Sequence, residues 1–147
     1  MHSDPQRLAE LAGKTMFERD PASQALGMKL DAIRPGYACM RMRVREDMLN
    51  GHGTCHGGYI FMLADSAFAF ACNSHNVNTV GAGCTIDYLA PGRAGDVLVA
   101  EAVEQALSGK TGVYDVVVTD QDGRKIALFR GKSHRVAGHV VPVDAAM

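Results

Sequence analysis

Between Asn50 and Asp65 the chain sets out groups that acyl chemistry uses: a carboxamide at Asn50, an imidazole at His56, consecutive glycines at Gly57 and Gly58, and a carboxylate at Asp65. The two glycines open a run, residues 59–72, rich in Ala, Phe, Leu and Met and interrupted only by Asp65 and Ser66. A helix that begins there leaves backbone N–H groups unpaired and turns the positive end of its dipole toward the preceding loop. Such a place polarises a carbonyl or holds an oxyanion, an effect worth about 2.7–4 kcal/mol per donor in acyl transfer. The plainer alternative is that two glycines only let a buried helix start abruptly. A carboxylate inside an apolar helix costs several kcal/mol to desolvate unless it is paired, protonated or lining a cavity. Asp65 therefore either takes hydrogen bonds in the core, points through a gap to solvent, or does chemistry. In the last case it is a general base on water or a nucleophile that forms a mixed anhydride. Asn50 can orient an attacking water or a substrate oxygen, and His56 can hydrogen-bond either the loop or the carbonyl.

Spacing adds a constraint. Asp65 lies eight residues beyond Gly57, about 12 Å along a helix, so a helix's own carboxylate does not reach a carbonyl held at its own start. A second copy packed antiparallel supplies the missing group and creates two equivalent sites about a two-fold axis. A metal reading of His52, Cys55, His56 and Asp65 is unsupported, because their spacing matches no strong zinc pattern and adjacent residues fit poorly on one tetrahedral ion. No metal is expected. A Cys55–His56 nucleophile pair lacks an orienting third group.

The elements that position these residues can be read from periodicity. The run 59–72 is unbroken by proline or glycine and reads as a helix. Since it is apolar around nearly its whole circumference, it must be wrapped. Before it, residues 4–18 carry Leu8, Leu11, Ala12 and Met16 at helical spacing. Asp20-Pro21 is an N-cap followed by proline at the first helical position, and Gly27 is placed to end that short helix. Residues 28–34 and 37–44 read as a hairpin about Pro35-Gly36, with Met40, Met42 and Val44 on one face and Arg41 and Arg43 on the other. After the central helix, residues 79–89, 97–107, 112–119 and 125–136 read as strands, expected as an antiparallel meander. The fold class is therefore α+β, a sheet curled around one long helix. Residues 1–19 are expected as an N-terminal helical segment, 20–138 as the principal domain and 139–147 as a flexible tail.

At 147 residues the chain supports one domain with a sizeable core. A net charge of -1 gives no electrostatic footprint for nucleic acid. The central apolar run is shorter than the roughly 20 residues a bilayer span needs, so no membrane partner is expected. Cys39, Cys55, Cys72 and Cys84 are widely separated with no CxxC spacing, and no apolar leader opens the chain. The expected location is the reducing cytoplasm.

The Asn50…His56-Gly57-Gly58…Asp65 constellation resembles that of the hotdog-fold thioesterases, and the flanking Asn50-Gly51-His52 and Leu63-Ala64-Asp65-Ser66-Ala67-Phe68-Ala69 are most similar to their phenylacetate-pathway (PaaI) type. Further likeness runs through Cys84-Thr85-Ile86-Asp87-Tyr88-Leu89-Ala90-Pro91-Gly92, Gly109-Lys110-Thr111-Gly112-Val113-Tyr114-Asp115 and Phe129-Arg130-Gly131-Lys132-Ser133-His134-Arg135, covering residues 17–138. The resemblance implies an antiparallel sheet wrapped around one helix and homodimers assembling into homotetramers, with sites at the dimer interface. It further implies hydrolysis of acyl-CoA thioesters such as phenylacetyl-CoA or its hydroxylated forms. It assigns catalytic roles to Asp65, Gly57, Asn50 and His56. Contacts to coenzyme A fall to Pro91, Gly92, Arg93, Lys110, Thr111 and His134. Coenzyme A enters as part of the substrate, with no separate cofactor. Some relatives carry a serine in the strand corresponding to residues 80–84, where this chain has Gly81-Ala82-Gly83; Ser66 is the candidate substitute. Ala64, Ala67 and Gly81 are candidates for leaving room for an aromatic ring. The alternatives are a hotdog enoyl-CoA hydratase or dehydratase and a non-catalytic acyl-CoA-binding module.

Overall fold

Helix signals in the sequence become helices with their caps in place. The computed structural model describes residues 4–146, and expectations about residues 1–3 and 147 lie outside the described residues. Helix α1 (Pro5–Glu18) is capped by the Asp4 carboxylate, which accepts from the Gln6 N–H. Helix α2 (Pro21–Ala25) is capped in the same way by Asp20 through Ser23. Strands β1 (Lys29–Arg34) and β2 (Tyr37–Arg43) form the expected hairpin, with Gly36 at φ 75° in its turn. A single 3-10 turn (Glu46–Met48) and a loop lead into α3 (Gly57–Asn73). Four strands follow: β3 (Val77–Tyr88), β4 (Val97–Ser108), β5 (Thr111–Thr119) and β6 (Lys125–His139).

All six strands form one antiparallel sheet in the order β1-β2-β4-β5-β6-β3. The expected four-strand meander holds only for β4, β5 and β6. Strand β3 does not neighbour β4 but pairs with β6, and the loop after Tyr88 carries the chain across the sheet to set β4 beside β2. Wrapping is the physical reason: a sheet that curls around α3 puts the strand leaving the helix at one edge and the entering hairpin at the other.

The concave face of the sheet holds the core. Met40, Met42, Leu98, Ala100, Val116, Val118 and Phe129 pack against Ile60, Leu63, Ala64, Ala67, Phe68 and Phe70 of α3, all of them buried. Helix α1 lies against β1 at close range, since a Cβ on Gly13 would come within 2.9 Å of Ile33. One stripe of α3 stays uncovered in the single chain: Gly58 and Asp65 are exposed and Met62 and Ala69 half-buried, at spacings that fall on one helical face. Strand β3 is likewise open, exposed along most of its length with no strand on its outer edge.

The segment from residue 139 makes specific contacts. Asn76, at φ 66°, donates to the Val141 carbonyl (2.9 Å) and accepts from the Val141 N–H (2.8 Å), and residues Val143–Ala146 form a 3-10 turn.

Candidate active site

Of the four N–H groups that a helix start leaves without an intrahelical partner, three are accounted for in α3. His56 donates to the Met48 carbonyl (2.8 Å), Gly58 to Nδ1 of His56 (2.9 Å), and Tyr59 to the His56 carbonyl (3.0 Å). Only the Gly57 N–H has no hydrogen-bond partner among the described residues. His56 is thus the N-cap of α3, an unusual one. Because Nδ1 accepts, a neutral ring carries its proton on Nε2 and presents that N–H outward.

Two tethers hold this helix start. One is the isolated antiparallel bridge of Leu49 with Cys55, in which the His56 N–H donates to the Met48 carbonyl and the Asn50 N–H to the Thr54 carbonyl (both 2.8 Å), and the other is the Cys55 N–H to the Gly92 carbonyl (2.8 Å). Asn50 braces the loop between them. Its Oδ1 accepts from the N–H groups of His52 (2.9 Å) and Thr54 (3.2 Å), which fixes the amide orientation, while Nδ2 donates to Thr54 Oγ1 (3.2 Å). Within one chain, then, Asn50 shapes the loop, and one proton of its amide remains for a ligand. Beside Gly57 lies an open cavity of about 330 Å³ lined by Cys55, Ile60, Tyr88, Leu89 and Pro91. Tyr88, a residue that sequence reasoning passed over, donates its hydroxyl to the Gly57 carbonyl (3.0 Å). No periodicity signals that contact, which joins residues 31 positions apart.

Asp65 makes no hydrogen bond and no salt bridge among the described residues, and it is exposed on the uncovered stripe of α3. The apolar surroundings of its helix nonetheless push its carboxyl above the ordinary aspartate value. Ser66 turns elsewhere, its Oγ lying 3.1 Å from that of Ser23 on α2. Of the residues considered for an aromatic ring, Ala64 and Ala67 are fully buried within the chain, whereas Gly81 is exposed; the Phe68 ring lies beneath Gly81 and Gly131, where a Cβ on either would meet it at 3.3 and 2.8 Å. Burial pushes the Cys55 thiol up to about 11, which keeps it protonated and unreactive near neutral pH. Among the described residues no group of three or more His, Cys, Asp or Glu could hold a metal ion.

The residues assigned to coenzyme A fall into two sets. Pro91, Gly92 and Arg93 adjoin the start of α3. Gly92 allows the loop to close on Cys55, Pro91 O accepts from Arg124 (2.8 Å), and the exposed Arg93 guanidinium forms no hydrogen bond or salt bridge among the described residues. Lys110, Thr111 and His134 lie together at the β4–β5 turn, where Thr111 is the register partner of His134. Strand β4 separates the sets, roughly 35 Å end to end. One chain does not bring them together. Arg130 is already committed to a bidentate pair with Asp115 (2.6 and 2.9 Å).

An antiparallel sheet curled about one long helix is the frame of the hotdog thioesterases. Residues 52–127 match the model of the thioesterase superfamily, and the chain belongs to that family. It is a thioester hydrolase. Among its relatives is the acyl-coenzyme A thioesterase PaaI of Escherichia coli, 48% identical over 125 residues that span 85% of this chain and 89% of that protein. The structure of the E. coli PaaI protein from the phenylacetic acid degradation operon superimposes with a TM-score of 0.91, at 45% identity over 92% of this chain and 99% of that one. A thioesterase protein of Streptococcus pneumoniae solved with coenzyme A matches with a TM-score of 0.73 at 27% identity, covering 76% of this chain and 90% of that one.

Proposed function

We propose that the enzyme hydrolyses aryl-acyl thioesters of coenzyme A, phenylacetyl-CoA or its hydroxylated forms, at sites shared between two chains. The observation that carries this reading is the Gly57 N–H, set about 12 Å along the helix from the Asp65 carboxylate, neither having a hydrogen-bond partner among the described residues. The two groups fit one reaction and do not reach one another within a chain. Two chains joined along the open edge of β3, with their α3 helices antiparallel over the Gly58, Met62, Asp65 and Ala69 stripe, oppose Gly57 of one chain to Asp65 of the partner subunit. The same two-fold axis turns the Arg93 end of one chain toward the Lys110, Thr111 and His134 end of its partner, so that both cationic sets face one coenzyme A. Val103 and Leu128, 43% and 39% exposed on the convex face of the sheet, support a further pairing of dimers into a tetramer.

In this reading the Gly57 N–H binds the thioester carbonyl oxygen and stabilises the negative charge it gains. The carboxylate of Asp65 either takes a proton from the attacking water or attacks the carbonyl carbon itself. The carbonyl reforms as the C–S bond breaks, and the sulfur leaves as the coenzyme A thiolate; where Asp65 itself attacked, water then cleaves the resulting mixed anhydride, releasing the free acid and restoring the carboxylate. Asn50 directs its remaining amide proton at a substrate or water oxygen, and His56 holds the helix start. The aryl preference rests on likeness to PaaI. A panel of phenylacetyl-CoA, hydroxyphenylacetyl-CoA and mid-chain aliphatic CoA thioesters tests it, with kcat/KM expected at least about tenfold higher for the aryl substrates. Equal rates across the panel would remove the aryl assignment. Asp65→Asn is expected to lower kcat by about 10³-fold or more, and unchanged hydrolysis would remove Asp65 from the reaction.

A further inference from the structure

We infer that Tyr88 is a positioning residue for thioester hydrolysis: together with His56 it clamps the peptide unit between Gly57 and Gly58 and thereby aims the neighbouring Gly57 N–H. The inference rests on the reading of Gly57 as the oxyanion donor. The carbonyl of that peptide accepts from the Tyr88 hydroxyl at 3.0 Å, and its N–H donates to His56 Nδ1 at 2.9 Å. Both polar ends of one peptide plane are therefore held by side chains, one from the loop before α3 and one from the last residue of β3. The Tyr88 ring lies flush with the glycine, since a Cβ on Gly57 would approach its carbons at 3.2 and 3.3 Å.

Glycine explains why such a clamp is needed. A helix that opens on Gly57-Gly58 has the least restricted backbone of any dipeptide, and its first turn frays unless something fixes it. Freedom of that kind costs catalysis directly, because an oxyanion donor stabilises a transition state only when it already points where the charge will develop. A side chain at either glycine is tight on this side, where the Gly57 Cβ would press on the Tyr88 ring at 3.2 Å and the Gly58 Cβ on His56 Nδ1 at 3.1 Å, each asking its neighbour to give by a few tenths of an ångström. The rigidity comes from outside the helix, through two hydrogen bonds. Tyr88 also closes one wall of the cavity beside Gly57, so the hydroxyl and the ring have separable duties. The hydroxyl orients the amide, and the ring excludes water.

Tyr88→Phe separates them, because it keeps the ring against Gly57 and removes only the donor. With phenylacetyl-CoA, kcat is expected to fall about ten- to hundredfold while KM stays within about twofold. Incorporation of 4-aminophenylalanine at position 88, which restores an N–H donor on the same ring, is expected to recover most of the loss. Asp65→Asn is assayed alongside. If Asp65→Asn is inactive and Tyr88→Phe keeps its kcat, the clamp is wrong while the site stands; if Asp65→Asn hydrolyses normally, the site itself is wrong. A loss confined to KM, or a loss that the amino analogue leaves unrepaired, would make Tyr88 a wall of the substrate cavity and overturn the inference.

Discussion

Asp65 sits at the meeting of two opposing demands. Its apolar helix disfavours the ionised form and raises its pKa above the ordinary 3.8, whereas the proposed reaction needs it ionised. A carboxyl raised in this way is a stronger base than a free one, which suits proton abstraction from water. Activity is therefore expected to rise with pH through a value above 3.8, and a kcat/KM profile extended to about one unit on either side of that value and up to neutral pH locates the limb; a limb at the unperturbed value would contradict the assignment. For stability the sign is opposite. A folded-state pKa above the unfolded one means that the folded protein binds the proton more tightly, so the group favours folding at low pH and that contribution is lost as pH rises through the folded value. At neutral pH Asp65→Asn removes a cost and should raise the melting temperature by a few degrees at most, at about 2–4 °C per kcal/mol for a chain of this size. A lowered melting temperature would show that Asp65 holds the fold together.

Helix α3 is fixed at both ends, and the two ends are built differently. At its start the clamp is made of backbone amides, an imidazole and a phenol. At its end Ser74 Oγ accepts from the Gly36 N–H (2.8 Å), and His75 and Tyr114 share one oxygen of Glu104 at 2.8 and 2.7 Å. Burial alone would push the Glu104 carboxyl up, but the Tyr114 hydroxyl and the His75 ring overcome it and hold the group below its ordinary 4.5. The stabilisation from Glu104 is thus present above that unfolded value and is lost as pH falls through the lower folded one. Glu104→Ala leaves the buried Tyr114 hydroxyl without its acceptor. It should cost about 1–3 kcal/mol and lower the melting temperature near neutral pH by roughly 2–12 °C; an unchanged melt would mean that the cluster contributes nothing to holding the helix. Most of these elements were legible in the chain itself. The Asp20 cap, the Pro35-Gly36 hairpin and the alternation along β5 are local signals, and local signals survive folding. The pairing of β3 with β6, the packing of Phe68 beneath Gly81, the use of His56 as a cap and the reach of Tyr88 to Gly57 join distant positions and leave no period in the sequence. Asn50, His56 and Gly57 stand out in the sequence by their chemistry and spacing, whereas Tyr88 looks like any aromatic at a strand end.

Taken whole, one chain is an unfinished object. Among the described residues it leaves the outer edge of the twelve-residue strand β3 without a neighbour and an apolar helix stripe with a carboxylate at its centre uncovered, and it divides the cationic residues assigned to coenzyme A between opposite ends of β4. Long open edges pair with further strands, and uncovered apolar stripes are covered by partners. A second copy of the chain would remove all three deficits with a single symmetry operation. The sequence already hinted at this through the eight-residue offset from Gly57 to Asp65, a distance that no local rearrangement of a helix closes.

Mixing two inactive variants tests the shared site most directly. Asp65→Asn removes the carboxylate, and Gly57→Pro removes the N–H. Proline suits the first position of a helix, and His56 already holds the extended conformation (φ -59°, ψ 134°) that proline accepts before it; its Cβ asks the Tyr88 ring to move by a few tenths of an ångström. Each variant alone is expected to be inactive. Random exchange of subunits yields half mixed dimers with one intact site in each, so the mixture should recover about a quarter of the parent activity. A mixture shown by native mass spectrometry to contain the mixed dimer, yet as inactive as the separate variants, would contradict a site built from two chains.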